Sequence, residues 1–248
     1  YVAGGFVNFG FDHRGEPHPL DWPGINSQFG FMDTCGFPKD AYYYYKSVWS
    51  SETVLHLFPH WNWAHKEESD RTIDVRSFNN CESVELFLNG ESQGQKDMEP
   101  YSSLSWQVEW EPGVLSAKCY RDGEVVTETK RETTGEPASI ALEPDRSSVN
   151  ADGEDVSLVK VAILDAQGRF VPTAGNEVQF SLDGPGEIIG VGNGDPSSHE
   201  ADKADRRSAF NGLALVIIQA TKMPGVIHLT AESPGLEKAV VEIKAAKA

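Results

Sequence analysis

The stretch Gly4-Gly5-Phe6-Val7-Asn8-Phe9-Gly10-Phe11-Asp12-His13-Arg14-Gly15-Glu16-Pro17 decides how this chain is read. From Val2 to Phe11 the residues are small, apolar and continuous rather than alternating, which is the pattern of a parallel strand covered on both faces. From Asp12 to Gly36, Gly, Pro, Asp and Asn recur every few residues, so an irregular segment is expected. Loops that long are uncommon inside compact folds, and functional loops are the usual exception. Pro38 then suits the first turn of a helix running from Lys39 to about Trp49. Strand, loop and helix make one βα unit. Its four consecutive tyrosines, Tyr42 to Tyr45, point to all sides of the helix and suit packing against a wall on one side and a following domain on the other.

Working outward, residues 53–134 read as an antiparallel sandwich. Short apolar segments (Val54 to Phe58, Ile73 and Val75, Val84 to Leu88, Trp106 to Trp110, Val114 to Cys119) are separated by Asn79-Asn80, Asn89-Gly90, Pro112-Gly113 and Asp122-Gly123 at hairpin intervals. Asn89-Gly90 is the strongest turn signal, since both residues accept positive φ. Glu128 to Pro137 is polar and reads as a linker. Residues 135–248 then carry six or seven further strands, centred on Ile140, Val161, Phe180, Ile188, Leu215, Ile227 and Val241, which fit an Ig-like sandwich. Gly192 to Asp205 is too polar for a strand and reads as a long surface loop.

Lys and Arg total 21 against 38 Asp and Glu, a formal net charge of -17. Such a charge repels phosphate backbones, so nucleic acid is excluded as a partner. No run of about 18 apolar residues is present, so no membrane span is expected. The three cysteines, Cys35, Cys81 and Cys119, are odd in number and have no Cys-x-x-Cys spacing, which argues against a zinc site and against a disulfide framework. They read as free, mostly buried thiols, with one Cys81–Cys119 bridge as the alternative. His56, His60 and His65 match no zinc spacing. Asp195, His199 and Glu200 read as an exposed, self-bonded loop rather than a hard-cation site. No cofactor and no metal is expected.

Several strings together resemble glycoside hydrolase family 2, the β-galactosidase-like enzymes. They are Gly10-Phe11-Asp12, Gly15-Glu16-Pro17, Asn26-Ser27-Gln28-Phe29-Gly30, Gly36-Phe37-Pro38-Lys39-Asp40, His60-Trp61-Asn62-Trp63, Val84-Glu85-Leu86-Phe87-Leu88-Asn89-Gly90 and Gly192-Asn193-Gly194-Asp195-Pro196. The resemblance implies a mainly β chain: two Ig-like antiparallel β-sandwiches, residues 53–134 and 135–248, preceded by residues 1–52 as the terminal strand-loop-helix remnant of a (β/α)8 barrel. An eight-stranded barrel cannot close on one strand, so the remainder of the catalytic barrel is expected as a partner. Retaining glycosidases use two carboxyl groups about 5 Å apart. The resemblance places both N-terminal of residue 1, so no catalytic residue is expected here; Asp12, Glu16 and Asp21 occupy no family catalytic position. A periplasmic or extracellular bacterial location is implied in the same way.

Four residues are substrate-binding candidates. Where the family usually has a tryptophan under the sugar this chain has Asn8, whose amide offers a donor and an acceptor to hydroxyls but no flat apolar face. Asp12 falls at the C-terminal end of the barrel strand, where such enzymes build their sites; its alternative is to brace Arg14 or a neighbouring loop. Trp61 and Trp63 flank Asn62 and either form a sugar platform or pack between domains. The chain is thus read as the C-terminal region of a retaining β-glycosidase acting on terminal β-linked sugars, completing and buttressing the site yet inactive alone. The alternative is a non-catalytic Ig-like carbohydrate-binding or adhesion module.

Overall fold

The computed structural model describes residues 4–67 and 70–247. It is mainly β, and it divides into two compact units: Pro38–Thr134, and Tyr1–Phe37 together with Gly135–Ala248.

The first unit holds helix α1 (Asp40–Trp49) and strands β1 (Leu55–Phe58), β2 (Thr72–Asn79), β3 (Ser83–Leu88), β4 (Glu91–Asp97), β5 (Leu104–Glu109), β6 (Val114–Arg121) and β7 (Glu124–Glu132). They form two antiparallel sheets, ordered β1-β2-β5 and β4-β3-β6-β7. Period-two alternation turns Ile73 and Val75 of β2, Leu104, Trp106 and Val108 of β5, Val84 and Leu86 of β3, and Leu115 and Ala117 of β6 into one core with Leu57 and Trp61. The β3–β4 turn uses Asn89 at φ 52° and Gly90 at φ 85°, the two left-handed residues that its right-handed strand twist demands. Cys81 and Cys119 are joined across this core, with Cα atoms 5.5 Å apart, so the expectation of free thiols is corrected for both; Cys35 alone is free. Their spacing of 38 residues carried no pairing signal, and it is the antiparallel β3–β6 register, which sets Val84 opposite Cys119, that brings them together.

Helix α1 starts after Lys39, with Asp40 in its first turn and Lys46 in its last, both favourable to the helix dipole. Its tyrosines act locally. Tyr43 stacks on His56 with ring centroids 3.8 Å apart, and the Tyr44 hydroxyl donates to the Tyr101 carbonyl at 2.9 Å. No helix residue is buried.

The second unit carries β8 (Pro137–Pro144), β9 (Ser148–Asn150), β10 (Val156–Asp165), β11 (Glu177–Asp183), β12 (Gly186–Gly192), β13 (Arg206–Ser208), β14 (Leu213–Ala220), β15 (Gly225–Glu232) and β16 (Ala239–Ala246). Its sheets run β12-β14-β10-β8 and β13-β11-β15-β16-β9, antiparallel except for the β16–β9 pair. Val159, Val161 and Val216 of one sheet meet Phe180, Ile227 and Ile243 of the other in a single core. In the tight turn after β10, the Asp165 carboxylate accepts from the amides of Gly135, Gln167 and Arg169 and from Arg169 Nε, all at 2.8–2.9 Å.

Two features differ from the sequence reading. The polar stretch 128–137 is mostly strand, since β7 ends at Glu132 and β8 begins at Pro137. Strand β7 is a sheet edge with no buried residue, so its pairing leaves no hydrophobic alternation to see. The same holds for β4, which is exposed throughout. Residues 4–10 form no strand, and Phe11 makes only an isolated parallel bridge to Met32; a parallel strand takes its ladder from neighbours, and none is beside it among the described residues. Val2 and Ala3 lie outside the described residues. The segment to Phe37 groups with the terminal sandwich and α1 with the preceding one.

Candidate functional site

Residues 10–37 form two nested loops without regular structure, closed by backbone bonds at their bases. Asp12 N donates to Met32 O and Met32 N to Gly10 O, while Gly15 N donates to Ile25 O and Ser27 N to His13 O, all at 2.8–2.9 Å. The Asp12 carboxylate accepts from Gly30 N at 2.8 Å. Gly30 is there for space: a Cβ would stand 2.2 Å from the Asp12 nitrogen and the Phe11 carbonyl carbon. Asp12 therefore organises the loop, the bracing role, and it also faces a cavity of about 430 Å³.

That cavity lies where the nested loops sit on the 190–207 segment of the terminal sandwich, and Asp12, Arg14, Asn26, Cys35, Asp202 and Arg207 line it. The seat is polar and close. The amides of Ile25 and Asn26 both donate to Pro196 O, at 2.8 and 3.2 Å, and Thr34 Oγ1 donates to Asn193 O at 3.1 Å. Gly192 and Gly194 admit the loop, since a Cβ on either would strike Cys35 Sγ or Asp33 Oδ2. Arg14 Nη2 reaches both oxygens of Asp202 at 2.6 and 2.7 Å. Behind it Arg207, 2 % exposed, donates to Asp202, Val191 O and Ser198 Oγ. Of the Gly192–Asp205 segment, expected as a long surface loop, residues 192–198 are in this way half-buried or buried, while His199, Ala201 to Lys203 and Asp205 stay exposed. His199 Nε2 meets Pro23 O at 2.9 Å and its ring lies beside Trp22. No cluster of three His, Cys, Asp or Glu side chains fit to hold a metal occurs among the described residues.

The thiol of the cavity is not an activated nucleophile. Burial, reinforced by Asp33, pushes the Cys35 thiol up to about 12, so it stays protonated and inert at neutral pH. What the site can do is orient a loop and offer hydrogen bonds.

Of the four candidate residues, Asn8 and Asp12 belong to one compact unit and Trp61 and Trp63 to the other. Asn8 is exposed in the unpaired segment, and Asp12 lines the cavity four residues on. Trp61 is 0 % exposed and belongs to the core of its own sandwich, with its indole N–H spent on the Glu111 carbonyl at 2.9 Å. Sugar contact is thereby corrected for Trp61: no face of its ring is left for a ligand. Nor do Trp61 and Trp63 share a strand face, because β1 ends at Phe58. Trp63 is partly buried, stacked on His60 at 4.4 Å with its indole N–H on the His60 carbonyl. Burial, with His65 nearby, lowers the affinity of His60 for a proton. Arg14, Asp202 and Arg207 were missed by sequence reasoning. The available signal was a polar segment, Gly192–Asp205, too long for a hairpin turn and ending in Arg206-Arg207.

The terminal sandwich, residues 140–242, matches the family model described as glycoside hydrolase family 2 C-terminal domain 5, and residues 70–127 match a model described as a domain of unknown function. Across 247 residues the chain is 46 % identical to the beta-galactosidase BoGH2A of Bacteroides ovatus, an alignment covering 99 % of this chain and 29 % of that protein. The chain belongs to glycoside hydrolase family 2. Among other family 2 relatives, a beta-glucuronidase of Formosa agariphila is 32 % identical over 221 residues, covering 87 % of this chain and 22 % of its own length. A beta-glycosidase from Bacteroides vulgatus has a solved structure that superposes with a TM-score of 0.90 at 32 % identity, over 96 % of this chain and 30 % of that one. A family 2 member from Bacteroides cellulosilyticus gives 0.89 at 30 % identity, over 96 % and 35 %. The chain thus spans about a third or less of these relatives and corresponds to their C-terminal region.

Proposed function

We propose that these residues complete and buttress the active site of a retaining, β-galactosidase-like glycosidase that hydrolyses terminal β-linked sugars. The observation that carries this is the bare apolar flank of residues 4–11. Phe6 is 99 % exposed and Phe11 54 %, with Val7 and Phe9 also exposed. An exposed apolar row of this kind marks a surface that another body covers. On this reading the body is the rest of a (β/α)8 barrel, and Asp12 and the loop to Phe37 stand at its C-terminal mouth, where barrel enzymes place their sites. The division into a barrel remnant, residues 1–52, and two sandwiches, 53–134 and 135–248, is part of the same proposal.

The two reacting carboxyls lie outside this chain in this account. Its own best-placed carboxylate, Asp12, accepts from the Gly30 amide and serves to shape the loop. Asn8 contributes an amide to sugar hydroxyls where the family uses an indole, and Trp63 remains a candidate rim contact. In the intact enzyme the glycosidic oxygen is protonated as its bond breaks, a carboxylate takes the anomeric carbon, and water then releases the sugar with retention.

The test compares aryl β-galactoside and aryl β-glucuronide turnover by the intact enzyme and by these 248 residues alone. Galactoside hydrolysis by the intact enzyme and none by the chain is the expected result. Turnover by the isolated chain, abolished by a point change within it, overturns the assignment.

A further inference from the structure

The Arg14–Asp202–Arg207 series joins the loop at the proposed barrel mouth to the interior of the terminal sandwich. Arg207 is fixed. It is buried on β13 and tied to the Val191 and Ala201 carbonyls and the Ser198 hydroxyl. Its Nη2 holds Asp202 Oδ1 at 3.0 Å, so the carboxylate inherits the orientation of a buried, rigid group. The same Oδ1 and its neighbour Oδ2 both accept from one nitrogen, Arg14 Nη2. Arg14 lies two residues from Asp12 and beside Gly15, whose amide closes the loop onto Ile25. The Ile25 and Asn26 amides are in turn held on Pro196. Loop and sandwich are therefore fastened by backbone and side-chain bonds at Pro196, Asn193 and His199 and by one charged bridge, Arg14–Asp202.

We propose that Asp202 is a positioning residue: through Arg14 it holds the segment from Asp12 to Asn26 in register at the rim of the sugar site. The proposal rests on the glycosidase reading above. Displacing a binding group at the rim weakens its contact with the sugar in ground state and transition state alike, so loss of the bridge is read in KM rather than in kcat. The bridge is exposed on both partners, so its contribution is modest and falls with salt. Since one nitrogen makes both bonds, lysine can replace arginine at position 14.

The experiment measures kcat and KM on an aryl β-galactoside, and hydrogen exchange at the Gly15, Ile25 and Asn26 amides, for the intact enzyme and its Arg14→Ala, Arg14→Lys, Asp202→Asn and Arg14→Ala/Asp202→Asn forms. Lys238→Ala, which breaks an exposed ion pair with Glu232 at the connection of β15 and β16, is the control. Arg14→Ala is expected to raise KM about fivefold, the upper range for an exposed pair, with kcat within about twofold and faster exchange at the three amides. Arg14→Lys restores both readouts, the double form goes no further in KM than Arg14→Ala, and high salt moves the wild type toward Arg14→Ala. Unchanged KM in Arg14→Ala, or equal losses in Arg14→Ala and Arg14→Lys, overturns the proposal. So does faster exchange with unaltered KM, which makes the bridge structural only. Absence of galactoside turnover by the wild type overturns the glycosidase reading instead; unchanged exchange in Arg14→Ala then removes the tether as well.

Discussion

Trp110 donates its indole N–H to the backbone carbonyl of Trp61 at 3.1 Å, while Trp61 donates its own to the carbonyl of Glu111, the residue after Trp110. The two indoles staple the segment after β1 to the end of β5, and the Thr133 hydroxyl donates to the same Trp61 carbonyl at 2.8 Å. Trp61→Ala is expected to cost the Pro38–Thr134 unit about 3–5 kcal/mol, as a large cavity does in a close-packed core. Denaturant unfolding followed by tryptophan fluorescence measures it. A loss below about 1 kcal/mol refutes this account of the core.

The Cys81–Cys119 bridge closes a loop of 38 residues, for which chain-entropy arguments give about 3–4 kcal/mol. Cys81→Ser/Cys119→Ser is expected to lower the unfolding midpoint of that unit and leave the terminal sandwich unaffected. Thiol titration of the unreduced, denatured chain should find Cys35 alone reactive. Its native thiol, pushed up to about 12 by burial, should react with iodoacetamide far more slowly at pH 8 than in the denatured chain. Three reactive thiols in the unreduced chain contradict the bridge.

Burial raises the proton affinity of Asp165, but the Arg169 guanidinium and the amides of Gly135, Arg169 and Gln167 outweigh it and hold the carboxyl well below the usual range. The unfolded carboxylate then takes up its proton first as pH falls. The stabilisation is complete above about pH 4, the ordinary aspartate value, and is lost below it as pH drops through the folded value. Asp152, lowered by the amides of Asp155 and Glu154, and Asp155, lowered by the amide of Asn150, add to the same slope. Asp165→Asn is expected to cost about 3 kcal/mol at neutral pH, since a buried partner of Arg169 is removed, and to flatten the acid limb of the stability curve. Unfolding curves from about pH 3 to pH 7 decide it; an unchanged acid limb counts against it.

Gly30→Ala puts a methyl group against the backbone of Phe11 and Asp12, which cannot yield as a flexible side chain does. A cost of about 2 kcal/mol is expected, with lower kcat/KM in the intact enzyme because the Asp12 loop is displaced. Calorimetry and steady-state kinetics check the pair. An active, equally stable variant refutes the packing described for that loop.

The sandwiches were legible because one buried face imposes period two: Ile73 and Val75, Trp106 and Val108, and Val159 and Val161 all point inward as the alternation indicates. Strands β4 and β7 were not, since an exposed strand is specified by its neighbour's free hydrogen-bonding groups rather than by its own side chains. The family strings foretold the family but not the burial of Trp61, because proximity to Trp63 in sequence says nothing about which sheet closes over each ring. The Arg14–Asp202 bridge spans 188 residues, and no local pattern encodes a contact at that distance.

By itself, then, the sequence determined what depends on nearest neighbours along the chain: the turn at Asn89-Gly90, the helix from Asp40, the alternating core strands, and the family to which those strings belong. Tertiary structure alone decided the pairings that depend on free space and on partners far away. Cys81 found Cys119, Asp12 turned to the Gly30 amide, and the polar 192–205 segment became a seat for the loops of residues 10–37. The physical reason is that local propensity acts through φ, ψ and periodicity, whereas a cross-link, a buried charge or a loop seat exists only once two distant surfaces have been brought within about 3 Å.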